Sequence, residues 1–389
     1  MSGVVPRLPI LGWSTFSRVK AALPPCVLDL PEVVFTTSGR AAIALALREL
    51  GVGRDAAVLL PTYHCTTMVA PAVAVGAKPV FYPLTDQGAP ELGALEGLDT
   101  TGIKAMLAAH FFGIPQPLRG VREFCDRRGI KLIEDCAHAL FGEADGAPVG
   151  TWGDLAISSL TKFYPVPVGG ALISARRKLS HVSLSSQGLV AEFKCLGHAV
   201  ESGAEFSRLT GLNTPLSLLF SLRGRSRERK PPNGNTAKHE NGHGPRDFLA
   251  DLDRRLIDSR PTRVCLAIVR MSNRPRIFLR RRENYQRLAR ALSSVSGARP
   301  LVPLLPPTAA PYVFPLWVDN PDPLYKAMRE TRFPVFRWDW LWPDTPRIEG
   351  DPGMLWSKHV LQLACHQDLE PTDIDWMVER LEELLKTVP

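Results

Sequence analysis

The sequence predicts an α/β protein with a mostly parallel central sheet flanked by helices, followed by a smaller α+β C-terminal domain. Three observations carry this prediction. From residue 33 to 174, short apolar runs of strand length alternate with helical patterns, and such alternation builds parallel sheets with right-handed crossovers. One of these runs, Leu132-Ile133, ends in a carboxylate pair, Glu134-Asp135, and a later one, Leu155 to Leu160, delivers Lys162. Open α/β sheets bind ligands at the carboxyl ends of their strands. Beyond residue 262, a long helical pattern is followed by the strand-like run Tyr312 to Val318 and a final helix from about Thr372 to Lys386, which is the plan of a second, smaller layer.

The first 32 residues are proline-rich, with Pro6, Pro9, Pro24 and Pro25. They read as an irregular N-terminal arm with a short helix near Ser17–Leu23. Val33 to Ser38 reads as a strand, Gly39-Arg40 as a tight turn, and AAIALALREL as a helix. A helix N-terminus offers backbone N–H groups and positive dipole to an anion. Val58-Leu59-Leu60-Pro61 is the next strand, with Thr62–Thr67 opening a helix that runs to Val75 and a strand over Pro79–Tyr82. Lys104–His110 is a strand leading into Phe111-Phe112-Gly113-Ile114-Pro115. The helix Pro117–Arg128 carries Leu118, Val121 and Phe124 at helical spacing and crosses over to the strand at Lys131. Ser221–Asp247 has almost no apolar residues and many Gly, Pro, Asn and charges; it reads as a flexible surface loop. His239 and His243 lie within it and read as solvated, not as metal ligands. The helical pattern over 262–292 includes Glu283 and Arg287 as an i,i+4 pair. The aromatic stretch Phe336–Trp342 reads first as core or interface packing and second as substrate stacking. These elements divide the chain into an arm (1–32), a large domain (33–270, with the flexible loop 221–247) and a small C-terminal domain (271–389).

Two groups carry the chemistry. A lysine delivered by a buried strand is costly unless it has a partner or a task. Its pKa falls readily on burial, which suits Schiff-base chemistry. Pyridoxal 5'-phosphate (PLP) uses a lysine to hold its aldehyde and an aspartate to keep its pyridine nitrogen protonated. On the residues alone, Asp135 capping a helix and Lys162 on a solvated loop remains open.

The order and spacing of several short motifs decide between these. Glu134-Asp135-Cys136-Ala137-His138-Ala139, Gly150-Thr151-Trp152-Gly153-Asp154, Ser158-Ser159-Leu160-Thr161-Lys162 and Gly169-Gly170 occur in succession. Together they resemble the DegT/DnrJ/EryC1/StrS family of PLP-dependent sugar aminotransferases, of the aspartate-aminotransferase fold type I. The resemblance covers residues 33–175 well and 275–386 loosely. It implies that Lys162 holds PLP and acts as the base, that Asp135 pairs with the pyridine nitrogen, and that His138 contacts the phenolic oxygen. It implies a phosphate cradle from Ser159 (Ser158 if the register slips) with Gly39 and Arg40, the latter standing where the family has threonine. It also implies an aromatic ring stacked on the cofactor. Cys65 occupies that position here, so His64 or Tyr63 is expected to take the part. Dehydratase relatives carry histidine in place of the lysine, so Lys162 favours amino transfer.

Composition sets the remaining bounds. A length of 389 residues allows two or three domains, and 45% hydrophobic and 22% charged residues are ordinary for a globular protein. No apolar run reaches the ~18 residues of a membrane helix, and the N-terminus lacks a signal-peptide pattern. Seven cysteines without paired spacing point to reduced thiols in a cytoplasmic protein, and no Cys/His cluster has metal-ligand spacing. The net charge of +8 is concentrated in two tracts, Arg223–Lys230 and Arg276–Arg282. The first carries none of the aromatic interleaving of a single-strand binding platform, so nucleic acid is not the expected partner. The expected reaction is transfer of an amino group from a small-molecule donor, glutamate in most of the family, to a keto sugar, nucleotide-linked in most members. The expected form is a homodimer with shared active sites. A lyase-type PLP reaction and a non-catalytic PLP-binding regulatory protein remain the alternatives.

Overall fold

The computed structural model describes residues 4–216 and 254–387. The expected loop 221–247, the basic tract Arg223–Lys230, and His239 and His243 lie outside the described residues.

The strands, in chain order, are β1 Glu32–Thr36, β2 Ala57–Pro61, β3 Lys78–Tyr82, β4 Ile103–Ala109, β5 Lys131–Asp135, β6 Glu143–Ala144, β7 Ala147–Pro148, β8 Leu155–Ser159 and β9 Gly170–Ser174. Seven of them form one sheet in the order β1-β9-β8-β5-β4-β2-β3, while β6 and β7 make a separate small hairpin. Within the sheet, β9 alone runs antiparallel to its neighbours. Strands β2, β8 and β9 are buried at every position. Helices cover both faces of such a sheet, so its strands read as continuous apolar runs, not as alternating ones.

Helix α1, Gly39–Glu49, explains its own alanine content. Every residue from Ala41 to Leu47 is buried, and a helix apolar all round belongs inside. Helices α2 Thr66–Ala74, α3 Leu92–Glu96, α4 Arg119–Arg128 and α5 Leu189–Glu205 follow. The apolar pattern over 262–292 resolves into two helices, α6 Arg263–Met271 and α7 Arg274–Ala291. The break has a local cause. Asn273 caps α7 by accepting from the Arg276 N–H at 2.7 Å, and Pro275 in its first turn has no N–H to continue the preceding helix. The expected Glu283–Arg287 pair does not form: Glu283 takes Arg280, and Arg287 takes Asp375 of the last helix.

A second sheet, β10 Ala298–Pro300, β11 Val313–Val318, β12 Val335–Arg337 and β13 Val360–Ala364, is antiparallel in the order β10-β11-β13-β12. Helices α8 Pro321–Glu330, α9 Pro352–His359 and α10 Pro371–Thr387 complete this part. Leu324 and Met328 of α8 and Ile374, Met377 and Leu381 of α10 share its core with Tyr285 and Leu288 of α7. Ile277 and Phe278, at the other end of α7, sit instead in the core under the main sheet. One helix therefore locks the two sheets together.

The N-terminal segment is integrated into the fold. Val5 lies in the core of the second sheet. The Pro6 carbonyl accepts from His366 Nε2 at 3.0 Å, and the Ile10 N–H donates to Asp368 Oδ2 at 3.2 Å. The helix expected at Ser17–Leu23 is absent; a 3₁₀ turn over Trp13–Phe16 stands just before it, and Ser17 is already extended. Pro24-Pro25 keeps the residues leading into it out of helical conformation. Among the described residues, no helix is long and apolar enough to cross a membrane.

Gly169-Gly170 marks where β9 passes beneath the start of α1. Ser38 bridges to Gly169, and the Gly169 N–H donates to the Thr37 carbonyl at 2.7 Å. A Cβ on Gly170 would stand 2.3 Å from the Ser38 carbonyl carbon, against backbone that cannot move alone. Gly170→Ala is therefore expected to lower unfolding stability by about 3 kcal/mol, at the upper end of overpacking costs, measured by urea denaturation.

Candidate active site

A cavity of about 550 Å³ opens at the carboxyl ends of β4, β5 and β8, within the range of small-molecule sites. The pleat of β5 divides the carboxylate pair between two tasks, because successive side chains point to opposite faces. Asp135 faces the cavity and Glu134 faces away.

Glu134 is fully buried and is satisfied by its neighbours. Its oxygens accept from the N–H groups of Gly150 at 2.6 Å, Trp152 at 2.8 Å and Gly153 at 3.2 Å, and from His110 Nε2 at 2.9 Å. His110 Nδ1 accepts from the Gln116 N–H at 2.8 Å, which places the ring proton on Nε2, facing Glu134. His110, Glu134 and Cys136 bring ligand atoms within 4.8 Å of one another, but Glu134 is spent on fastening the glycine-rich loop. Asp154 completes that fastening by accepting from the Leu132 N–H and from Arg122, both at 2.9 Å. Half of the motif is scaffold.

Asp135 is buried, and its Oδ1 accepts from the Ala137 N–H at 2.8 Å. Burial pushes its carboxyl above the usual range, opposed by the positive charge of Lys162 and by the Ala137 N–H. Lys162 follows β8 on a 3₁₀ turn. It faces the cavity and is half-buried; burial pulls its ammonium below the ordinary lysine value, opposed by Cys65 and Asp135. Its Nζ lies 5.1 Å from the centre of the Tyr312 ring. The His138 ring packs on the same tyrosine at 4.5 Å. His138 Nδ1 accepts from the Phe112 N–H at 3.3 Å, so a neutral ring carries its proton on Nε2. Burial and the nearby Lys162 charge hold this imidazole well below its usual pKa.

The opposite end of the cavity is the N-terminus of α1. Ser38 caps it by accepting from the Ala41 N–H at 3.2 Å, and Gly39 and Arg40 line the wall. Ser159 also faces the cavity, while Ser158 is fully buried on the other side of β8 with no partner for its hydroxyl. An added Cβ on Gly39 would lie 3.4 Å from Ser159 Cβ and 3.8 Å from its Oγ, so hydroxyl and helix N-terminus meet in one cradle.

Of the expected residues, Lys162, Asp135, His138, Ser159, Gly39 and Arg40 converge on this cavity. His64 does not. It is fully buried, its Nδ1 bonds the Pro61 carbonyl at 2.8 Å, its Nε2 accepts from the Trp342 N–H at 2.9 Å, and its ring stacks on Phe81. Tyr63 is equally buried, packed among Phe111, Phe112, Trp338 and Trp356. The strand-to-helix turn points both rings into the core and leaves Cys65 at the cavity. Trp338 is an aromatic ring on the cavity wall, 5.1 Å from His138. The sequence offered it only within the stretch Phe336–Trp342, with substrate stacking as the second reading, because it arrives from the second sheet some 200 residues after β5. Residues Pro6 to Leu11 of the N-terminal segment also line the cavity, and nothing local in their sequence announces that.

The donor set fits PLP. A helix N-terminus with a hydroxyl suits a phosphate, a buried aspartate suits a protonated pyridine nitrogen, an imidazole N–H suits a phenolate oxygen, and a desolvated lysine suits an aldehyde. Fold and site thus define an α/β protein of fold type I with a lysine-centred carbonyl site. Residues 28–217 match the DegT/DnrJ/EryC1/StrS aminotransferase family. The chain is 37% identical over 143 residues to dTDP-3-amino-3,4,6-trideoxy-alpha-D-glucose transaminase of Micromonospora megalomicea, a stretch covering 36% of this chain and 37% of that relative. It is 35% identical over 160 residues to L-glutamine:2-deoxy-scyllo-inosose aminotransferase of Streptomyces kanamyceticus, covering 39% and 38%. These matches span little more than a third of the relatives' length. The fold extends further: the aminotransferase TlmJ from Streptoalloteichus hindustanus superposes with a TM-score of 0.61 at 22% identity, over 91% of this chain and 86% of that one. Helicobacter pylori PseC gives 0.61 at 14%, over 92% and 88%.

The displaced histidine yields a pH prediction. Burial lowers the His64 pKa to about 4 and that of His366 to about 3. Both folded values lie below the unfolded value of about 6.5. Their contribution to stability is therefore complete above that value and is lost as pH falls from there toward the folded pKa values. At pH 4 the His64 share is about 3 kcal/mol. His64→Leu is expected to flatten the decline of the urea midpoint between pH 6.5 and 4 without altering ligand uptake in the cavity. An unchanged pH slope would return His64 to a solvated position.

Proposed function

We propose that this chain is a PLP-dependent aminotransferase that moves an amino group from glutamate, or a related amino-acid donor, to a keto sugar. The acceptor is nucleotide-linked, and the pathway makes a polysaccharide, a glycan or a secondary metabolite. The observation that carries this reading is the convergence of Lys162, Asp135, His138 and the α1 N-terminus on one cavity. The match of residues 28–217 to the aminotransferase family supports amino transfer, and the two relatives named above are, by their names, a dTDP-sugar transaminase and an aminocyclitol aminotransferase.

When bound, PLP supplies an electron sink for the carbon that loses or gains the amino group. The chain's own residues do the rest. Gly39 and Ser159 would hold the phosphate, with Arg40 beside them. Asp135 would keep a proton at the pyridine nitrogen, and His138 would donate from Nε2 to the phenolic oxygen. Lys162 would hold the aldehyde, and its free amine would be the base that takes and returns a proton at the substrate carbon. Desolvation keeps a share of that amine neutral, as a base requires. Trp338 forms part of the cavity wall. Arg7 lines the cavity with its guanidinium 4.6 Å from the Phe336 ring centre, and a cation there favours an anionic substrate.

The working form in this reading is a homodimer. Along α5, Leu189, Val190, Phe193 and Leu196 are exposed, Phe193 by 74%. They make an apolar stripe at helical spacing, which suits a subunit contact. The same helix gives His198, Ala199 and Ser202 to the cavity wall, so a second copy on this face would border the site. All seven cysteines are free thiols, which fits a cytoplasmic protein.

The purified protein is expected to show a visible absorbance band that borohydride abolishes. Glutamate or glutamine should bleach the band with release of the keto acid. Lys162→Ala should lack the band, and Asp135→Asn should keep it while lowering kcat by about 10²–10⁴-fold, the size of a general acid–base contribution. No band even with added PLP sinks the assignment; a band that no amino donor shifts points to other PLP chemistry. Phe193→Glu should convert a dimer to a monomer in sedimentation and lower activity. A wild-type monomer with full activity removes the dimer from the reading.

A further inference from the structure

We infer that Arg281 of α7 is a positioning residue that fixes the Lys162 amine above Tyr312 by gripping the backbones that carry both. Arg281 is completely buried. Its Nη2 donates to the Lys162 carbonyl at 2.6 Å. Its Nη1 donates to the Pro311 carbonyl at 2.8 Å and to the Tyr312 carbonyl at 3.2 Å. Its Nε donates to Gln367 Oε1 at 2.8 Å, and its guanidinium lies 4.4 Å from the Phe163 ring centre. Gln367 Nε2 in turn donates to the Phe163 carbonyl at 2.9 Å. Two successive carbonyls, those of Lys162 and Phe163, are thus held by one connected pair of side chains.

The geometry serves the site and not only the core. A guanidinium is a rigid planar fork, so one group sets the distance between the peptide bearing Lys162 and the peptide bearing Tyr312. The Tyr312 ring lies under Nζ and also carries the His138 ring. A shift of either peptide moves the amine relative to Asp135 and His138 together. The network reaches the cavity rim as well: Gln367 Nε2 donates to Asp368 Oδ2, which also accepts the Ile10 N–H of the segment lining the cavity. The acceptors of Arg281 are the main-chain carbonyls of Lys162, Pro311 and Tyr312 and the side-chain carbonyl of Gln367, so the guanidinium acts on the site through the backbone.

The inference takes Lys162 as the reacting amine of the proposed function, and its test does not need the cofactor. The full chain, cleared of bound aldehyde with hydroxylamine, is treated with acetic anhydride over a pH series, and acetylation of Lys162 is followed by peptide mass spectrometry. The wild-type pH midpoint is expected below that of an ordinary lysine. In Arg281→Gln it should rise by about one pH unit, because the amine loses its fixed place in the partly desolvated cavity. Arg281→Lys, which keeps a donor but not the fork, should fall between and carries the test if the glutamine variant does not fold. Leu324→Ala, in the core of the second sheet, should lower the melting temperature and leave the midpoint in place. With the cofactor loaded, Arg281→Lys should lower kcat by about 10–100-fold, the scale of an ångström misplacement, with the donor KM little changed. An unmoved midpoint in the arginine variants overturns the inference, as does an equal shift in Leu324→Ala. A wild-type protein that takes up no PLP instead sinks the proposed reaction and leaves the midpoint readable.

Discussion

The site depends on one buried carboxylate that never meets a ligand. Glu134 collects three backbone N–H groups and the His110 ring, and in doing so it fixes the loop between β5 and β8. Bonds of this kind to a charged acceptor contribute about 1.5–3 kcal/mol each, and a buried charge without them would be untenable. The pleat of β5 then gives Asp135 its direction without further cost, because the neighbour of an inward-facing residue must face the other way. The two acidic residues are adjacent in sequence and opposite in role.

The electrostatics of the cavity follow from the same burial. Asp135 and Lys162 are each pushed toward neutrality by desolvation and each drawn back toward charge by the other. Such mutual support keeps both groups responsive to a third charge placed between them. A carbonyl cofactor with a basic ring nitrogen would be such a group, and in the proposed reading the helix N-terminus at the other end would receive its anion. The cavity thus holds positive and negative partners at separate ends, and a ligand must match both.

Much of this was legible in the sequence because it is local. The alternation of strands and helices from residue 33 to 174, the Glu-Asp step, the lysine and the Gly-Gly pair all lie within short windows, and the sheet order places them together as the alternation requires. The turn after β2 defeated the reading for a geometric reason. An aromatic was expected at the cavity, and His64 was the nearest ring in sequence, but the turn sends His64 onto Phe81 and Tyr63 among four other rings. Trp338 fills the wall from a different sheet. Arg281 was legible only as one of several arginines on a helix, since its role arises from contacts 119 and 30 residues away in sequence.

These long-range contributions share a logic. The main sheet supplies the groups that bond to a cofactor, and the rest of the chain supplies what surrounds them: Trp338, the Tyr312 ring and the segment Pro6–Leu11. The Tyr312 peptide is joined to the Lys162 peptide through main-chain carbonyls gripped by Arg281, and Gln367 links the Phe163 carbonyl to Asp368, which holds the Ile10 N–H. A backbone grip leaves Nζ free to move during a reaction while holding its root still. That division suits a lysine that must both hold a ligand and release it, and it explains why a fully buried guanidinium is placed behind the lysine instead of beside its amine.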